Sequence, residues 1–401
     1  MVALKAIAWS APTCDGLAAP DRAIAVLERA VAADPSAAAA HARLGGVFLD
    51  LYDFENAARA FEAALRCDPS SGQVCVQFAR CLNVLGRPAD VLKVLSTGAT
   101  DDAQWRAEAH FQRGIALLDL DRAAEAEAGF AAALAGNRNH RRACMKLCQV
   151  LRRGARISEL LSLCEDLAAQ GVCHAQLLLD WARALALSGD IGRARALLFD
   201  PARVSVTSLA MPDGFDQVLS EDILTNRFPI RQFPSGEEAN RGSVRVHHLM
   251  CGARPERVAA LLAAIQAAVD AYVAGLEARG DFDPWAEAAP ASAHLHPWGL
   301  IQRGGDYEDW HTHRGGWLSG VYYLRTPKGL SVERGCIEFG PPPSLAGRPD
   351  NVIVSRRYPP AESMLILAPS HYHHRTIPSG LDDYRVSFAF DVVPDDKPTI
   401  S

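Results

Sequence analysis

The sequence lacks the features that mark membrane-spanning, secreted and nucleic-acid-binding chains. It contains no run of about 18 uninterrupted apolar residues, so a spanning helix is not expected. The N-terminal stretch has neither the apolar core nor the cleavage site of a signal peptide. A net charge of −6 without a Lys/Arg block gives no electrostatic case for binding nucleic acid or an anionic membrane. We therefore expect a cytoplasmic protein that binds neither.

Motifs built on cysteine or glycine are also missing. None of the ten cysteines forms a Cys-x-x-Cys pair, and the closest two, Cys144 and Cys148, lie about one helical turn apart. Scattered cysteines of this kind are typical of reduced core residues. No glycine-rich loop of the Walker or Rossmann type occurs, so nothing indicates a nucleotide-binding enzyme of either class.

The first half of the chain is an internal repeat. The stretch around Gly45, Phe61 and Pro69 recurs every 34 or 35 residues, with small residues where helices would approach closely and prolines after the second helix. The repeat phases lie near residues 4, 38, 72, 107, 141 and 175. This pattern resembles the tetratricopeptide repeat, a helix–turn–helix unit. We predict an all-α solenoid of about six repeats over residues 1–203.

A solenoid of this type implies an interaction surface. Stacked repeats form a concave face that can bind a peptide or a protein partner. Alternatively, the array could only pack against the second domain or build a homodimer. The repeat pattern itself does not identify a partner.

Residues 204–401 have a different character. One long amphipathic helix is predicted over about 255–279, and short apolar strands then alternate with Pro- and Gly-containing turns. Such a pattern favours a sandwich or a jelly-roll barrel with the helix packed outside it. The chain is thus predicted to be an α + β protein of two domains.

Histidines are concentrated in this second half. Seven of the 13 in the chain fall in one window: His294, His296, His311, His313, His371, His373 and His374. If the segment is a strand, His311 and His313 point to the same face, because side chains alternate with period two. Imidazole is a common ligand of Fe, Zn and Cu, so the pair indicates a metal site.

A second signal lies in the last apolar strand. Arg385 and Ser387 share one strand face by the same rule. A buried arginine is costly unless a carboxylate neutralises it. The carboxylate could belong to a ligand, or it could come from Asp382, Asp383 or Asp391 of the chain itself.

Together these segments resemble the 2-oxoglutarate- and Fe(II)-dependent oxygenases. His-x-His, a later histidine and an Arg-x-Ser follow one another in the order found in that superfamily. The segments HTHRGGWLSGVYYLRTP, GCIEFG, LILAPSHYHHRTIP and RVSFAFDVVP are closest to a bacterial subgroup with N-terminal tetratricopeptide repeats. The resemblance covers most of residues 220–395. It implies a double-stranded β-helix, a jelly-roll or cupin-like barrel. The aspartyl/asparaginyl hydroxylases share this two-part architecture, which favours a peptide substrate by analogy.

The resemblance also implies the site. It assigns His311, His313 and His374 to Fe(II), although His313 stands where the superfamily usually has a carboxylate. Asp309 or water could complete the metal shell in place of His313. By the same resemblance, Arg385 and Ser387 bind the far carboxylate of 2-oxoglutarate. Tyr322 and Tyr323 alternate faces of their strand, so one of them, for which we take Tyr323, is a further candidate for contact with 2-oxoglutarate, and either could instead be a core residue. His371 and His373 are then expected beside the site, and His294 and His296 at its rim.

The implied activity is the oxidation of a substrate by O₂ with 2-oxoglutarate as cosubstrate, and hydroxylation of a peptide or protein side chain is the expected outcome. Two other functions compete with it. A zinc hydrolase with three histidine ligands is chemically reasonable but leaves Arg385 and Ser387 without a role. The other is a non-catalytic repeat protein with a degenerate barrel, which the missing carboxylate would favour.

Overall fold

The structure is a computed structural model. It describes residues 6–12, 20–96, 104–226, 229–230, 239–246, 249, 254–280, 283–313, 315–330, 333–340 and 355–395. The chain divides into two compact units, one of Gly16–Leu160 and one of Met1–Asp15 with Leu161–Ser401. Helices give way to strands close to residue 203, but the compact units divide at Leu160. The last helices before the strands therefore belong to the same unit as the strands.

The first part of the chain is helical. Its helices are α1 (Pro20–Ala33), α2 (Ala38–Asp50), α3 (Phe54–Cys67), α4 (Gly72–Val84), α5 (Pro88–Val94), α6 (Arg106–Asp119), α7 (Ala123–Gly136), α8 (Arg141–Arg153), α9 (Ile157–Ala169), α10 (Ala175–Ser188) and α11 (Ile191–Leu198). Helices α2, α4, α6, α8 and α10 each begin within one residue of a predicted repeat phase. The tetratricopeptide-like reading of this region is thus confirmed.

The first predicted repeat differs from the others. Residues 1–5, where its phase begins, lie outside the described part of the chain. The next segment is not helical: strand β1 (Ala8–Trp9) pairs in parallel with Ser292 and Ala293 of the second unit. The sequence repeat misassigned this segment because its backbone hydrogen bonds are made to a sheet, a partner that local periodicity cannot reveal.

Small residues bring the helices of a repeat together, as predicted. A Cβ atom placed on Gly45 would lie 2.7 Å from the ring of Phe61, and one placed on Gly114 would lie 2.6 Å from the ring of Phe130. Both rings are buried. The glycines are therefore required by the close approach of the two helices and not by a turn.

The second unit is built on sheets. After β1, its strands are β2 (Ser205–Ser208), β3 (Pro229–Ile230), β4 (Asn240–Arg241), β5 (Val244–Val246), β6 (Ser292–Arg303), β7 (Tyr307–Glu308), β8 (Leu318–Arg325), β9 (Ile337–Phe339), β10 (Arg356–Tyr358), β11 (Met364–Pro369), β12 (His374–Thr376) and β13 (Tyr384–Pro394). The main sheet has the order β2-β11-β8-β13-β6-β5-β3, with β1 also paired to β6. A smaller sheet has the order β10-β9-β12, and β4 pairs with β7.

The main sheet curls into a half-barrel. Its longest pairing joins β13 to β6, from Tyr384 opposite Arg303 to Pro394 opposite Ala293. Residues of β6, β8, β11 and β13 line a cavity together with residues of β9 and β12 from the smaller sheet. The two sheets thus enclose the site, whereas a closed jelly-roll barrel stays a prediction.

Three helices accompany the sheets: α12 (Phe215–Leu224), α13 (Pro255–Arg279) and α14 (Pro284–Glu287). Helix α13 has the predicted bounds. By length and composition alone it could cross a membrane. However, eight of its side chains, including Leu261, Ile265 and Val269, are buried within the unit, and Tyr272 donates a hydrogen bond to the carbonyl of Arg203. Burial accounts for part of its apolar composition, because 39% of its most apolar stretch is buried.

Candidate metal centre

His311 and His313 lie in the connection between β7 and β8. The prediction that they occupy a strand is wrong, because β7 ends at Glu308 and β8 begins only at Leu318. Single backbone contacts hold them in place. His311 and His374 exchange two backbone hydrogen bonds of 3.0 Å, and the amide of His313 donates to the carbonyl of Ser370 at 2.9 Å. The later histidine is the first residue of β12, so tertiary pairing brings the three together.

The three imidazole rings converge. One ring nitrogen from each of His311, His313 and His374 lies within 4.8 Å of the other two. The Nε2 atoms of His311 and His313 are 3.3 Å apart. Two nitrogens bound to one ion at about 2.0–2.1 Å would be roughly 3.0–3.4 Å apart in octahedral or tetrahedral geometry. Among the side chains that the structure describes, this group contains no carboxylate.

The hydrogen bonds of the rings select the nitrogens that face the centre. Nδ1 of His311 contacts the carbonyl of Asp309 at 2.7 Å, and Nδ1 of His374 contacts that of Tyr372 at 3.2 Å. Nδ1 of His313 contacts Oδ1 of Asp391 at 2.6 Å. Carbonyl oxygens can only accept, and so can an ionised carboxylate, so each Nδ1 carries the hydrogen. The Nε2 lone pair of each neutral ring is then available to a metal.

Electrostatics favour neutral rings. Burial, reinforced by the neighbouring His313, lowers the pKa of His311 to about 3. The pKa of His374 is lowered well below its ordinary value by burial and by the two other histidines. Neutral imidazole is the form that binds metals. The arrangement therefore fits a divalent cation, to which the three imidazoles present ring nitrogens that lie within 4.8 Å of one another.

Asp391 is a functional candidate that the sequence reasoning missed. It had been considered only as a partner of Arg385, but its Oδ1 accepts hydrogen bonds from His313 and from Oγ of Ser319, both at 2.6 Å. Burial alone would raise the pKa of Asp391, but the adjacent His313 lowers it overall. The signal was present in the sequence, because residues 385, 387, 389 and 391 share one face of β13.

Arg385 lies in the same cavity and has neutral partners. Its side chain is 4% exposed. The guanidinium donates to Oε1 of Gln302 and to the carbonyl of Gly335. The three carboxylates considered as internal partners are engaged elsewhere: Asp382 pairs with Arg303, Asp383 with Arg325 and Asp391 with His313. Within the described part of the chain, no carboxylate lies at ion-pair distance from Arg385.

The other predicted cosubstrate residues line this cavity too. Ser387 is buried on the same face of β13 as Arg385, and Tyr323 stands opposite Ser387 on β8. Burial raises the pKa of Tyr323 to about 12, so its hydroxyl stays protonated and can donate. Tyr322 instead donates to Asp216 at 2.7 Å. Gln302, which sequence reasoning overlooked, follows Trp298 and Leu300 along the cavity-facing side of β6.

The remaining candidates lie outside the cavity lining. Asp309 is not part of the metal-binding group, and its carboxylate is 3.7 Å from Arg241. His294 contacts Asp395 at 2.8 Å. His371 donates to the carbonyl of Leu197 at 3.0 Å, which ties α11 to the turn that precedes β12. His296 and His373 do not line the cavity either.

Comparison with known protein families finds a match for one region of the chain. Residues 296–391 match the family model described as "Putative 2OG-Fe(II) oxygenase". This segment contains the three histidines, Arg385, Ser387 and Asp391. No curated protein matches the chain.

Solved structures similar to the chain include two that are described as tetratricopeptide repeat proteins. Pseudomonas aeruginosa pilF is 22% identical, with 45% of this chain and 88% of that chain covered and a TM-score of 0.38. A tetratricopeptide repeat protein from Parabacteroides merdae is 19% identical, with coverage of 45% and 71% and a TM-score of 0.37. YrrB, a TPR protein with an unusual peptide-binding site, is 17% identical, with coverage of 43% and 88% and a TM-score of 0.34. Scores this low carry no argument.

The segment that matches the family also contains the converging histidines. The matched segment runs from β6 to β13 and supplies all three histidines of the converging group. The helices that precede it follow the phases of the sequence repeat. The C-terminal side of the chain therefore contains a segment, residues 296–391, that is similar to the 2OG-Fe(II) oxygenase family, and tetratricopeptide-like repeats precede it.

Proposed function

We propose that the protein is a 2-oxoglutarate- and Fe(II)-dependent dioxygenase that hydroxylates a peptide or protein side chain. His311, His313 and His374 hold the metal. Arg385, Ser387 and Tyr323 hold the cosubstrate. The strands of the second unit then correspond to the double-stranded β-helix of this family, with residues 204–401 as the catalytic domain.

The observation that carries this proposal is the state of Arg385. The guanidinium is 4% exposed and donates to an amide oxygen and a carbonyl, and among the described residues no carboxylate lies at ion-pair distance from it. Leaving a buried charge unpaired is costly, whereas a carboxylate can satisfy a guanidinium with two parallel hydrogen bonds. The cavity that contains this charge also contains the three converging histidines. A small anion that also reaches the metal fits both features.

When bound, Fe(II) and 2-oxoglutarate would supply oxidising chemistry, in which one oxygen atom of O₂ enters the substrate and the other enters the succinate that is formed together with CO₂. The protein's residues position and enclose the reactants. Gln302 orients the guanidinium of Arg385, and Gln302 is itself fixed by donation to Ser243 and Thr376. Aromatic and aliphatic side chains of both sheets, such as Trp298 and Phe339, exclude water from the cavity.

The repeats are proposed to bind the peptide substrate or a protein partner. Their helix phases follow those of a repeat class that presents concave binding surfaces. The charge and composition of the chain give no comparable support for nucleic acid. Recruitment of a peptide by the repeats would deliver it to a catalytic domain on the same chain.

A zinc hydrolase is the competing function, because three histidines are also a zinc donor set. It gives no role to the buried guanidinium of Arg385. The two functions differ in whether 2-oxoglutarate binds to the metal-loaded protein.

The test is an anaerobic titration of the metal-free protein with Fe(II) and then 2-oxoglutarate. We expect a visible charge-transfer band from the keto acid chelated to Fe(II). Arg385→Ala should weaken 2-oxoglutarate binding by roughly 30-fold or more, because truncating one partner of a buried charge pair costs about 2–5 kcal/mol. His374→Ala should remove the band by removing a metal ligand.

Arg325→Ala is the matched control. Arg325 is an arginine on the neighbouring strand β8, but it pairs with Asp383 and does not line the cavity. This variant should keep the band and the affinity of the unmodified protein. A folded protein that binds Fe(II) without developing any band with 2-oxoglutarate would overturn the proposed function and favour a zinc site.

A further inference from the structure

The three histidines are not held in the same way. His311 and His374 direct Nδ1 to backbone carbonyls, which are neutral acceptors. His313 directs Nδ1 to the carboxylate of Asp391, at 2.6 Å. A carboxylate that accepts from the outer nitrogen of a metal-binding imidazole raises the basicity of the ligand and fixes its orientation. One of the three rings therefore has an anionic partner.

Asp391 is itself fixed. It stands opposite Ser319 in the pairing of β13 with β8, and its Oδ1 accepts from the Ser319 hydroxyl at 2.6 Å. Oγ of Ser319 lies 2.7 Å from Oγ of Ser370, whose carbonyl accepts from the amide of His313. The carboxylate and the backbone of His313 are thus connected through two serines. The side chain of Asp391 is 13% exposed, so water screens its charge only in part.

The acidic side chains around the centre have different partners. Glu308, which lines the cavity, pairs with Arg245 at 2.8 Å, and Asp309 lies 3.7 Å from Arg241. Asp391 pairs instead with the imidazole of His313 at 2.6 Å, and a second histidine, His296, stands opposite it on β6. Three neutral imidazoles would leave the full charge of a divalent cation in a partly dry site. Asp391 is the carboxylate in direct contact with that ligand set.

We infer that Asp391 is a positioning residue that supplies, through His313, the negative charge against which the metal is held. The inference rests on the proposed function only in requiring that the three histidines bind a divalent metal. Asp391 does not touch the metal; it acts on it through the imidazole of His313. The site would thus have a carboxylate that contacts a metal ligand, His313, and not the metal itself.

The test measures metal affinity in the absence of 2-oxoglutarate. Co(II) is titrated into the full-length protein and its variants under anaerobic conditions, with its visible absorption and a competing chelator as readouts. Asp391→Asn is nearly isosteric and removes the charge. Both hydrogen bonds use the single oxygen Oδ1, which the asparagine amide can reproduce. We expect about 10–100-fold weaker binding, the range typical of lost outer-shell partners, and a shifted Co(II) spectrum.

Ser319→Ala is the matched control, because it removes one hydrogen bond to the same oxygen and keeps the charge. It should change Co(II) affinity by only a few-fold, because the carboxylate keeps both its charge and its contact with His313. Thermal unfolding of the metal-free variants shows whether each is folded. Asp391→Ala, which loses the charge and the hydrogen bonds, should bind at least as weakly as Asp391→Asn.

The outcomes separate this inference from the proposed function. If Asp391→Asn binds Co(II) like the unmodified protein, the charge has no role and the inference is wrong, even if Asp391→Ala binds weakly. If the unmodified protein binds metal but not 2-oxoglutarate, the proposed function fails while the role of Asp391 stands. If the unmodified protein binds no Co(II), both fail.

Discussion

At the scale of single residues, the site combines an arginine that has no carboxylate at ion-pair distance among the described residues with an aspartate that is paired with an imidazole. Arg385 is buried among neutral acceptors, and Asp391 contacts an imidazole. Both lie on β13, six residues apart. A buried charge without a counter-ion is costly, and the charge of Arg385 becomes favourable when an anion binds beside it. This pairing of charges with ligands separates the site from an ordinary polar cavity.

Gln302 offers a direct test of the role of Arg385. Its Oε1 already accepts from the guanidinium. Gln302→Glu would place a carboxylate at that position and neutralise the arginine from within the protein. We expect 2-oxoglutarate to bind at least ~10-fold more weakly, a loss of about 1.4 kcal/mol, while metal affinity is unchanged. Calorimetric titration of the metal-free protein with Co(II), and of the metal-loaded protein with 2-oxoglutarate, measures the two affinities.

The unfolding temperature of Gln302→Glu shows whether weaker 2-oxoglutarate binding comes from neutralisation of Arg385 or from a destabilised protein. An internal ion pair should leave the stability of the protein unchanged or raised. Weak cosubstrate binding in a destabilised protein would instead indicate a disturbed cavity. Undiminished binding would contradict the assignment of Arg385 to the cosubstrate.

At the scale of elements, the close packing of helices within a repeat can be tested by substituting two adjacent glycines of α2, of which one contacts the partner helix. Gly45→Ala in α2 would place a Cβ atom 2.7 Å from the buried ring of Phe61. Overpacking costs about 1–3 kcal/mol, which exceeds the roughly 1 kcal/mol that alanine gains over glycine in a helix. We therefore expect a lower free energy of unfolding, measured by urea denaturation and circular dichroism.

The neighbouring residue is the control. A Cβ atom on Gly46 would meet nothing within 4 Å, so Gly46→Ala should stabilise the protein by up to about 1 kcal/mol. Equal effects of the two substitutions would show that helix propensity alone determines the stability of α2. We expect the free energy of unfolding to fall for Gly45→Ala and to rise for Gly46→Ala, because of these two glycines only Gly45 faces the partner helix.

The sequence predicted elements well wherever the signal was periodic. The bounds of α13 and the starts of five repeat helices follow from patterns that recur within a few turns. It failed for β1, whose hydrogen-bonding partner is almost three hundred residues away. It also placed His311 and His313 in a strand, although two residues with i, i+2 spacing can converge from a loop. Their meeting with His374 depends on tertiary backbone pairing, which spacing cannot show.

The site was predictable in part for the same reason. Arg385 and Ser387 were found because they share a face of one strand, and the same periodicity reaches Asp391. The role of Asp391 was missed because Arg385, on the same strand, offered a simpler partner for its carboxylate. Gln302 lies on another strand, so only the register of β13 against β6 brings it opposite Arg385.

At the scale of the whole molecule, the tryptophans are unevenly divided between the compact units. Only Trp105 of the seven belongs to the unit Gly16–Leu160. In the other unit, Trp285 and Trp317 stack with their ring centroids 4.8 Å apart, and each indole donates to the backbone carbonyl of the other at 2.9 Å. Tryptophan fluorescence therefore reports mainly on the unit that contains the candidate metal centre.

This distribution allows metal binding to be detected as a change in stability. A ligand present at about 100 times its Kd stabilises the folded state by about 2.7 kcal/mol. We expect Co(II) to move the urea midpoint of the fluorescence transition to higher concentration. The midpoint of His374→Ala should not respond. An equal shift in that variant would place the metal at another site.

The common strand of Arg385 and Asp391 also limits how the gene can change. Backbone pairs join β13 to β6 along its whole length and to β8 from Val386 to Val392. Loss or gain of one codon between the two residues would turn one of them to the opposite face of the sheet. Substitutions can accumulate singly along this segment, but insertions and deletions cannot. Descendants of this gene that keep the activity should therefore keep the number of residues between Arg385 and Asp391, even where other residues of this segment are substituted.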